Sequence, residues 1–353
     1  MTSLTDLVDV VIGVDTHVHT HSAAAVDAHT GAVLGEITVE ATADGYQRLA
    51  EFADEHLTLR AWAIEGTSGH GAGLARHLAH REELVVELDR PERATRRNGV
   101  KSDPLDAIRA AREALARTRL GAPRSSGQRQ ALSVLLTARR SAVDAATEAQ
   151  QQLFSLVIAA PETLRARFRN QKLPAMVTTA AALRTHRSWD IETTTTVTVL
   201  RDLARRTQAL RAEAAEHKRA ILAIVRDWRP DLLAQPGVGP IVAATVLCAW
   251  SHPGRIYSEA AFAMLAGVAP IPANSGQTTT RHRLNRHGDR QLNRALHTIT
   301  LSRRRYHQPT RDYTARRTAE GKTNREIKRC LKRYIARDLY RLLENNTEPL
   351  DRP

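Results

Sequence analysis

The chain has 353 residues, 42% of them hydrophobic, and a formal net charge of +14. That length allows two or three domains with real cores, and the basic excess points to a polyanionic partner, most commonly nucleic acid. Its two cysteines, Cys248 and Cys330, lie far apart without metal-ligand spacing, which argues against a disulfide framework or zinc site, and an aromatic content of 4% disfavours base stacking relative to arginine contacts with phosphates and grooves.

The N-terminus lacks the basic and long apolar segments of a signal peptide. The longest apolar run, Ile241 to Trp250, is too short to span a bilayer. The expectation is a cytoplasmic protein with no membrane association.

Residues 1–122 read as an α/β domain. VVIGVDTH, ending near His17, is apolar throughout, as a central strand should be. SAAAVDA and AVLGEITVEAT flank a hairpin turn at 29–31. Asp44 to Leu57 has helical spacing. LRAWAIEGT gives a fourth strand ending at Glu65, AGLARHLAHRE a second helix and LVVELD a fifth strand. The order βββαβαβα predicts a ribonuclease-H-like mixed sheet, with three antiparallel strands and then parallel ones reached through helices.

Residues 123–230 are helical and rich in Ala, Gln, Arg and Leu. Leu200, Leu203, Thr207, Leu210, Ala214, His217, Ile221, Ile224 and Trp228 recur at alternating spacings of three and four, a heptad seam. A weaker seam runs through Leu132, Leu135, Arg139, Ala142, Ala146, Ala149, Leu153 and Leu156. An antiparallel helical hairpin or coiled coil is expected, or two core helices of a bundle. Residues 231–345 form a mostly helical, very basic C-terminal domain, and 346–353 a polar tail.

Four carboxylates stand out. Asp15 and Glu65 end the first and fourth strands. Asp103 and Asp106 lie in KSDPLDA, where Pro104 suits a first helical turn, Asp103 its cap and Asp106 the same side one turn on. In ribonuclease-H strand order the first two are neighbours, and the helix after strand five brings the aspartates to them. Hard oxygen ligands converging in this way suit Mg²⁺ or Mn²⁺, and paired ions serve phosphoryl transfer.

Two further signals lie downstream. PGVGP at 236–240, between LLA and IVAATVL, has a helix-hairpin-helix pattern, in which Gly237 and Gly239 would open backbone N–H groups to a DNA phosphate. Within residues 267–297, Ser275 sits in a polar loop ahead of a basic helix. Arg281, Arg283, Arg286 and Arg290 could neutralise phosphate nearby or form a solvated basic face.

GVDTH, AIEGT and KSDPLDA, followed by PGVGP and GVAPIPANSG…GDRQLNRALH, closely resemble the DEDD transposases, insertion-sequence enzymes related to the Piv invertase. The resemblance implies a RuvC-like domain joined to a C-terminal transposase domain. Asp15, Glu65, Asp103 and Asp106 would form the metal site, and Ser275 would be the nucleophile that links covalently to DNA. It also implies a homodimer or homotetramer assembled through the helical middle, with a structured bridge RNA guiding some members. Relatives often carry a lysine soon after the first aspartate, where this chain has Val18 and His19. Two other readings share these residues: a hydrolytic junction nuclease like the RuvC resolvases, and an inactive nucleic-acid-binding scaffold.

Overall fold

A computed structural model describes residues 3–56, 59–88, 103–272, 282–285 and 287–345. The chain divides into two compact units, Met1–Ser126 and Gly127–Pro353.

The first unit is mixed α/β. Its elements are β1 (Val10–Thr16), β2 (Thr20–Asp27), β3 (Val33–Glu40), α1 (Ala43–Asp54), β4 (Arg60–Glu65), α2 (Ala72–His80), β5 (Val85–Leu88) and α3 (Asp103–Ala116). The strands form one sheet in the order β3-β2-β1-β4-β5. β1, β2 and β3 pair antiparallel, while β4 lies parallel to β1 and β5 parallel to β4. The expected element order and the β1–β4 adjacency are both present.

β1 and β4 are central, and their side chains alternate between two buried layers. Val10, Ile12, Val14, Trp62 and Ile64 pack with Leu49, Phe52, Leu74 and Leu78 of α1 and α2. Val11, Ala61 and Ala63 pack with Ala107, Ile108, Ala111 and Ala114 of α3. One charged clamp closes the rim of the unit. Arg60 donates to the Ala53 carbonyl (2.8 Å), to Asp54 (2.7 Å) and to Glu83, and Trp62 Nε1 donates to the same Glu83 at 3.0 Å.

The second unit is dominated by α4 (Gln128–Ala159) and α7 (Ile191–Trp228), with the short α5 (Glu162–Arg165) and α6 (Leu173–Ala181) between them. Gln128 bonds Asp227 at 2.7 Å and Arg211 bonds Gln150 at 2.6 Å, so the two long helices run antiparallel. Leu200, Thr207, Ala214 and Ile221 are buried as the heptad predicts. The second row of that seam is displaced by one residue at its two ends. Ala204 and Val225 are fully buried, while Leu203 and Ile224 are half-buried at its flank. Across the hairpin Ala204 shares a cluster with Leu153 and Val157, and Val225 one with Leu132.

Beyond α7 come α8 (Pro230–Leu233), α9 (Pro240–Trp250), α10 (Glu259–Leu265), the strands β6 (Pro270–Pro272) and β7 (His282–Leu284), and α11 (Arg290–Tyr306), α12 (Gln308–Ala319) and α13 (Asn324–Asn345). Leu132, Ile221, Val246, Trp250, Phe262, Leu292, Ile299, Ile335 and Leu339 share one core here. Buried Arg229 pairs with Asp231 at 2.6 Å and donates to the carbonyls of Leu342 (2.9 Å) and Leu343 (3.2 Å). A cation thus satisfies terminal carbonyls of α13. Among the described residues no helix is long and apolar enough to cross a membrane.

Candidate active site and nucleic-acid interface

In the first unit the parallel register of β1 and β4 pairs Val14 with Ile64. Asp15 and Glu65 are the next residue on each strand, so both sit at the carboxyl edge of neighbouring strands. Thr16 Oγ1 donates to the Glu65 carbonyl at 3.1 Å and fastens the two ends together. Strand alternation places Asp15 on the face of Val11 and Gly13, and Glu65 on that of Ala61 and Ala63. That face is the one covered by α3.

Gly13 explains how close the helix comes. A Cβ added there would lie 2.0 Å from the Ala107 carbonyl oxygen and 2.5 Å from the Ala111 nitrogen. The far end of α3 packs by Leu115 into the cluster of Leu4 and Val8, which precede β1. The helix therefore runs antiparallel to β1, and its first turn, with Asp103 and Asp106, is at the Asp15 end of the strand.

Local partners hold these carboxylates. Asp15 Oδ2 is 3.3 Å from His17 Nε2. Asp106 accepts a bond from Arg109 Nη1 at 2.7 Å. The Asp103 side chain lies outside the described residues. Among those residues no three His, Cys, Asp or Glu side chains are grouped closely enough to hold a metal ion. The chemistry of the donor set, carboxylate oxygens from two strand ends and a helical turn, still fits a hard divalent cation.

Two further neighbours bear on this site: His21, which with His17 and His19 is a candidate for the phosphate contact that the lysine gives in relatives, and Glu87, which escaped the sequence reading. His21 is fully buried and stacks on Tyr46 at 5.6 Å, so unlike exposed His19 it has no access to a phosphate. Burial pushes its pKa below the ordinary histidine value, although the Thr20 carbonyl and the Asp15 charge oppose this. Glu87 on β5 takes a 2.6 Å bond from Thr67. A charged residue inside the apolar LVVELD run was the one signal available for it.

In the second unit, PGVGP links a single helical turn, α8, to α9, so the helix before the turn is shorter than the motif predicts. Gly237, at φ +80°, packs on α11 with Ser302 Cβ 3.1 Å from its absent side chain. Arg303 Nε donates to the Pro236 carbonyl at 2.9 Å. Half of this turn is therefore committed to packing. Gly239, which precedes α9, is exposed, with open space where a Cβ would be.

β6 and β7 pair antiparallel, with Ile271 opposite Arg283. Ser275 and Arg281 fall between the two strands, outside the described residues, as does Arg286. Arg283 and Arg290 are both exposed, one on β7 and the other opening α11. The base of this hairpin is firmly tied. Asn285 Nδ2 donates to the Met264 carbonyl at 3.1 Å, and Asn293 Nδ2 to that of Ala266 at 2.8 Å. Lys332 Nζ in turn donates to Asn293 Oδ1 at 2.8 Å. Burial first, then the charge of Lys328, lowers the Lys332 pKa. Gly288 has Gly267 and the Leu265 carbonyl within 2.9 Å of where a Cβ would sit, so the chain crosses itself there without room for a side chain.

Residues 12–159 match a family model for DEDD transposases of the IS110 type, described as "Transposase", and residues 231–315 match the "Transposase IS116/IS110/IS902 family". The uncharacterized 42 kDa protein of insertion element IS900 from Mycobacterium paratuberculosis is 30% identical over 152 residues, 42% of this chain and 38% of that one. The uncharacterized 43.6 kDa protein of insertion element IS110 from Streptomyces coelicolor is 30% identical over 118 residues, 33% of this chain and 29% of that one. The similarity thus spans well under half the length of either relative. Both matched models, in this order along the chain, describe IS110-type transposases, each over less than half of its length.

Proposed function

We propose that this chain cuts and rejoins DNA to move an insertion sequence. The carrying observation is the register of β1 against β4, which sets Asp15 and Glu65 side by side beneath the first turn of α3. Asp15, Glu65, Asp103 and Asp106 would hold the divalent cation, with Asp106 released from Arg109. Mg²⁺ or Mn²⁺ bound there would supply activation of the attacking oxygen and stabilisation of the leaving one. The positive end of the α3 dipole opposes a cation, so several carboxylates are needed to outweigh it.

Ser275 is the nucleophile in this reading. Its Oγ attacks phosphorus and forms a phosphoserine ester, while the displaced DNA oxygen leaves as a hydroxyl carrying the serine proton. Attack by a hydroxyl of another strand reverses the step and restores Ser275, so the ester energy is kept rather than lost to water. Gly239, Arg283 and Arg290 are the phosphate contacts in this reading, with Arg281 and Arg286 beside them, while Gly237 serves the packing on α11. The resemblance adds a structured guide RNA, read by base pairing rather than by protein contacts. It also adds a homodimer or homotetramer, in which the serine of one protomer serves the carboxylates of another.

The test uses a plasmid carrying the element's own ends, a target plasmid and Mg²⁺, with and without RNA transcribed from the element. The parent chain is expected to form a detergent-resistant protein–DNA adduct and a joined product. Ser275→Ala is expected to lose both. Full recombination by that variant rejects the serine mechanism, and retained cutting without joining points to attack by water instead.

A further inference from the structure

Helices α11 and α12 meet at His307 and flank an open, shallow cleft of about 450 Å³ lined by Leu301, Arg304, Arg305, Arg311, Thr314 and Ala315. Three of its six lining residues are arginines, and among the described residues none of the three pairs with a carboxylate. The acidic groups of α12 are engaged elsewhere. Asp312 accepts from Gln308 at 2.7 Å, and Glu320 is paired with Arg317 and, at 3.9 Å, with Arg316.

The neighbouring arginine shows that the fold treats these three differently. Arg303 is buried, bonded to the Pro236 carbonyl and 4.0 Å from Asp338. It is spent on internal structure. Arg304, next in sequence, has a buried Nε with no hydrogen-bond partner among the described residues. Arg305 lies over the ring of Tyr306, 5.2 Å from its centroid, which steadies its stem and leaves the guanidinium edge available. Arg311 reaches the same space from the start of α12 and is exposed.

Three like charges around one cleft repel each other, and a guanidinium with an unmet buried donor is costly. Both costs are relieved by an external anion with several oxygen acceptors. Guanidinium forks match phosphate oxygens in pairs. Leu301 and Ala315 offer nothing for a base edge to read, and the Thr314 hydroxyl donates to the Thr310 carbonyl at 2.7 Å.

We propose that the α11–α12 cleft is a cradle for a nucleic-acid phosphodiester backbone, gripping successive phosphates without reading sequence. The cradle rests on the reading of this chain as a nucleic-acid enzyme but is separate from its cutting residues. The shared chemistry is the phosphodiester, and DNA or RNA could supply it.

The test compares the full-length parent with R304Q/R305Q/R311Q, titrated against a DNA duplex and an RNA duplex of equal length over a range of salt concentrations. Binding is expected to weaken at least about tenfold, and the slope of log affinity against log salt to fall by about 2 to 3, near 0.9 per lost B-DNA phosphate contact. The thermal midpoint is expected to stay within about 2 °C of the parent, and R316Q/R317Q, which alters two arginines that share Glu320 outside the cleft lining, is expected to keep most of the parental affinity. Loss on one duplex alone identifies the source as that nucleic acid, and equal loss on both identifies a cradle common to them. A triple variant that keeps the parental affinity and slope on both duplexes overturns the cradle while leaving the transposase reading intact. A parent that binds neither duplex overturns both.

Discussion

The two units of this protein hold charge in opposite ways. In the sheet unit, charges are paired with one another: Arg60 with Glu83 and Asp54, Asp15 beside His17, Asp106 with Arg109. In the helical unit, Arg229 and Arg303 are internal fasteners, but Arg304, Arg305 and Arg311 face a cleft with no carboxylate to meet them among the described residues. The contrast separates charge that builds a structure from charge kept for a partner. A site on strand ends gains precision from the backbone ladder, whereas an arginine cleft gains reach from long side chains and needs little precision to grip phosphate.

The comparison breaks most sharply at Gly13. Gly13→Val is expected to drive α3 off β1, since even a Cβ there overlaps the Ala107 carbonyl. A loss of about 3 kcal/mol or more is expected, above the usual range for overpacking because backbone rather than a side chain is struck. Thermal unfolding followed by circular dichroism measures it. An unchanged midpoint would show that α3 is not where the carboxylate site requires it to be.

A smaller and purely chemical effect is expected from Asp15→Asn. Cutting should fall by about 100-fold or more, as for loss of a metal-site group, with the thermal midpoint preserved. Manganese-dependent cleavage equal to the parent's would remove Asp15 from the metal site.

Glu83→Ala tests the internal clamp. It strips Arg60 and the Trp62 indole of their common acceptor and should cost about 2 kcal/mol, below the range for fully buried pairs because the clamp lies at the rim. Burial alone would raise the Glu83 pKa, but the bonds from Arg60 and Trp62 and the Arg60 charge together bring it below the ordinary value. A depressed carboxylate pKa stabilises the fold above the unfolded-state value of 4.5, and that stability is lost as pH falls through the folded-state value. The difference in denaturant midpoint between parent and Glu83→Gln should therefore shrink on acidification below that value. A constant difference would mean the charge contributes nothing.

The mildest change is Asp289→Ala. Asp289 caps α11 by accepting from the backbone N–H groups of Gln291 (2.7 Å) and Leu292 (3.0 Å). Losing the cap should cost about 1 kcal/mol. Because Asp289 also donates its own N–H to the Leu265 carbonyl at 2.7 Å, a bond the substitution keeps, the hairpin base should survive. Hydrogen exchange at Gln291 and Leu292, faster in the variant while Asn293 stays protected, distinguishes a lost cap from a loosened hairpin.

Much of this was legible in the residues themselves. Alternation and apolar runs marked all five strands of the sheet, and GVDTH and AIEGT put Asp15 and Glu65 at strand ends, because a period of two and a polar stop are local properties. The heptad of Leu200, Thr207, Ala214 and Ile221 was equally local. Its second row was not, because whether Leu203 or Ala204 is buried depends on how Leu153 and Val157 meet it across the hairpin. PGVGP announced a turn, but not that Gly237 would be pressed against α11 and only Gly239 left open. Nor could the run Arg303-Arg304-Arg305 reveal its own division. Consecutive residues on a helix point about 100° apart, so which arginine meets Pro236 and which meets the cleft is settled only when α12 and the turn before α9 are packed around them.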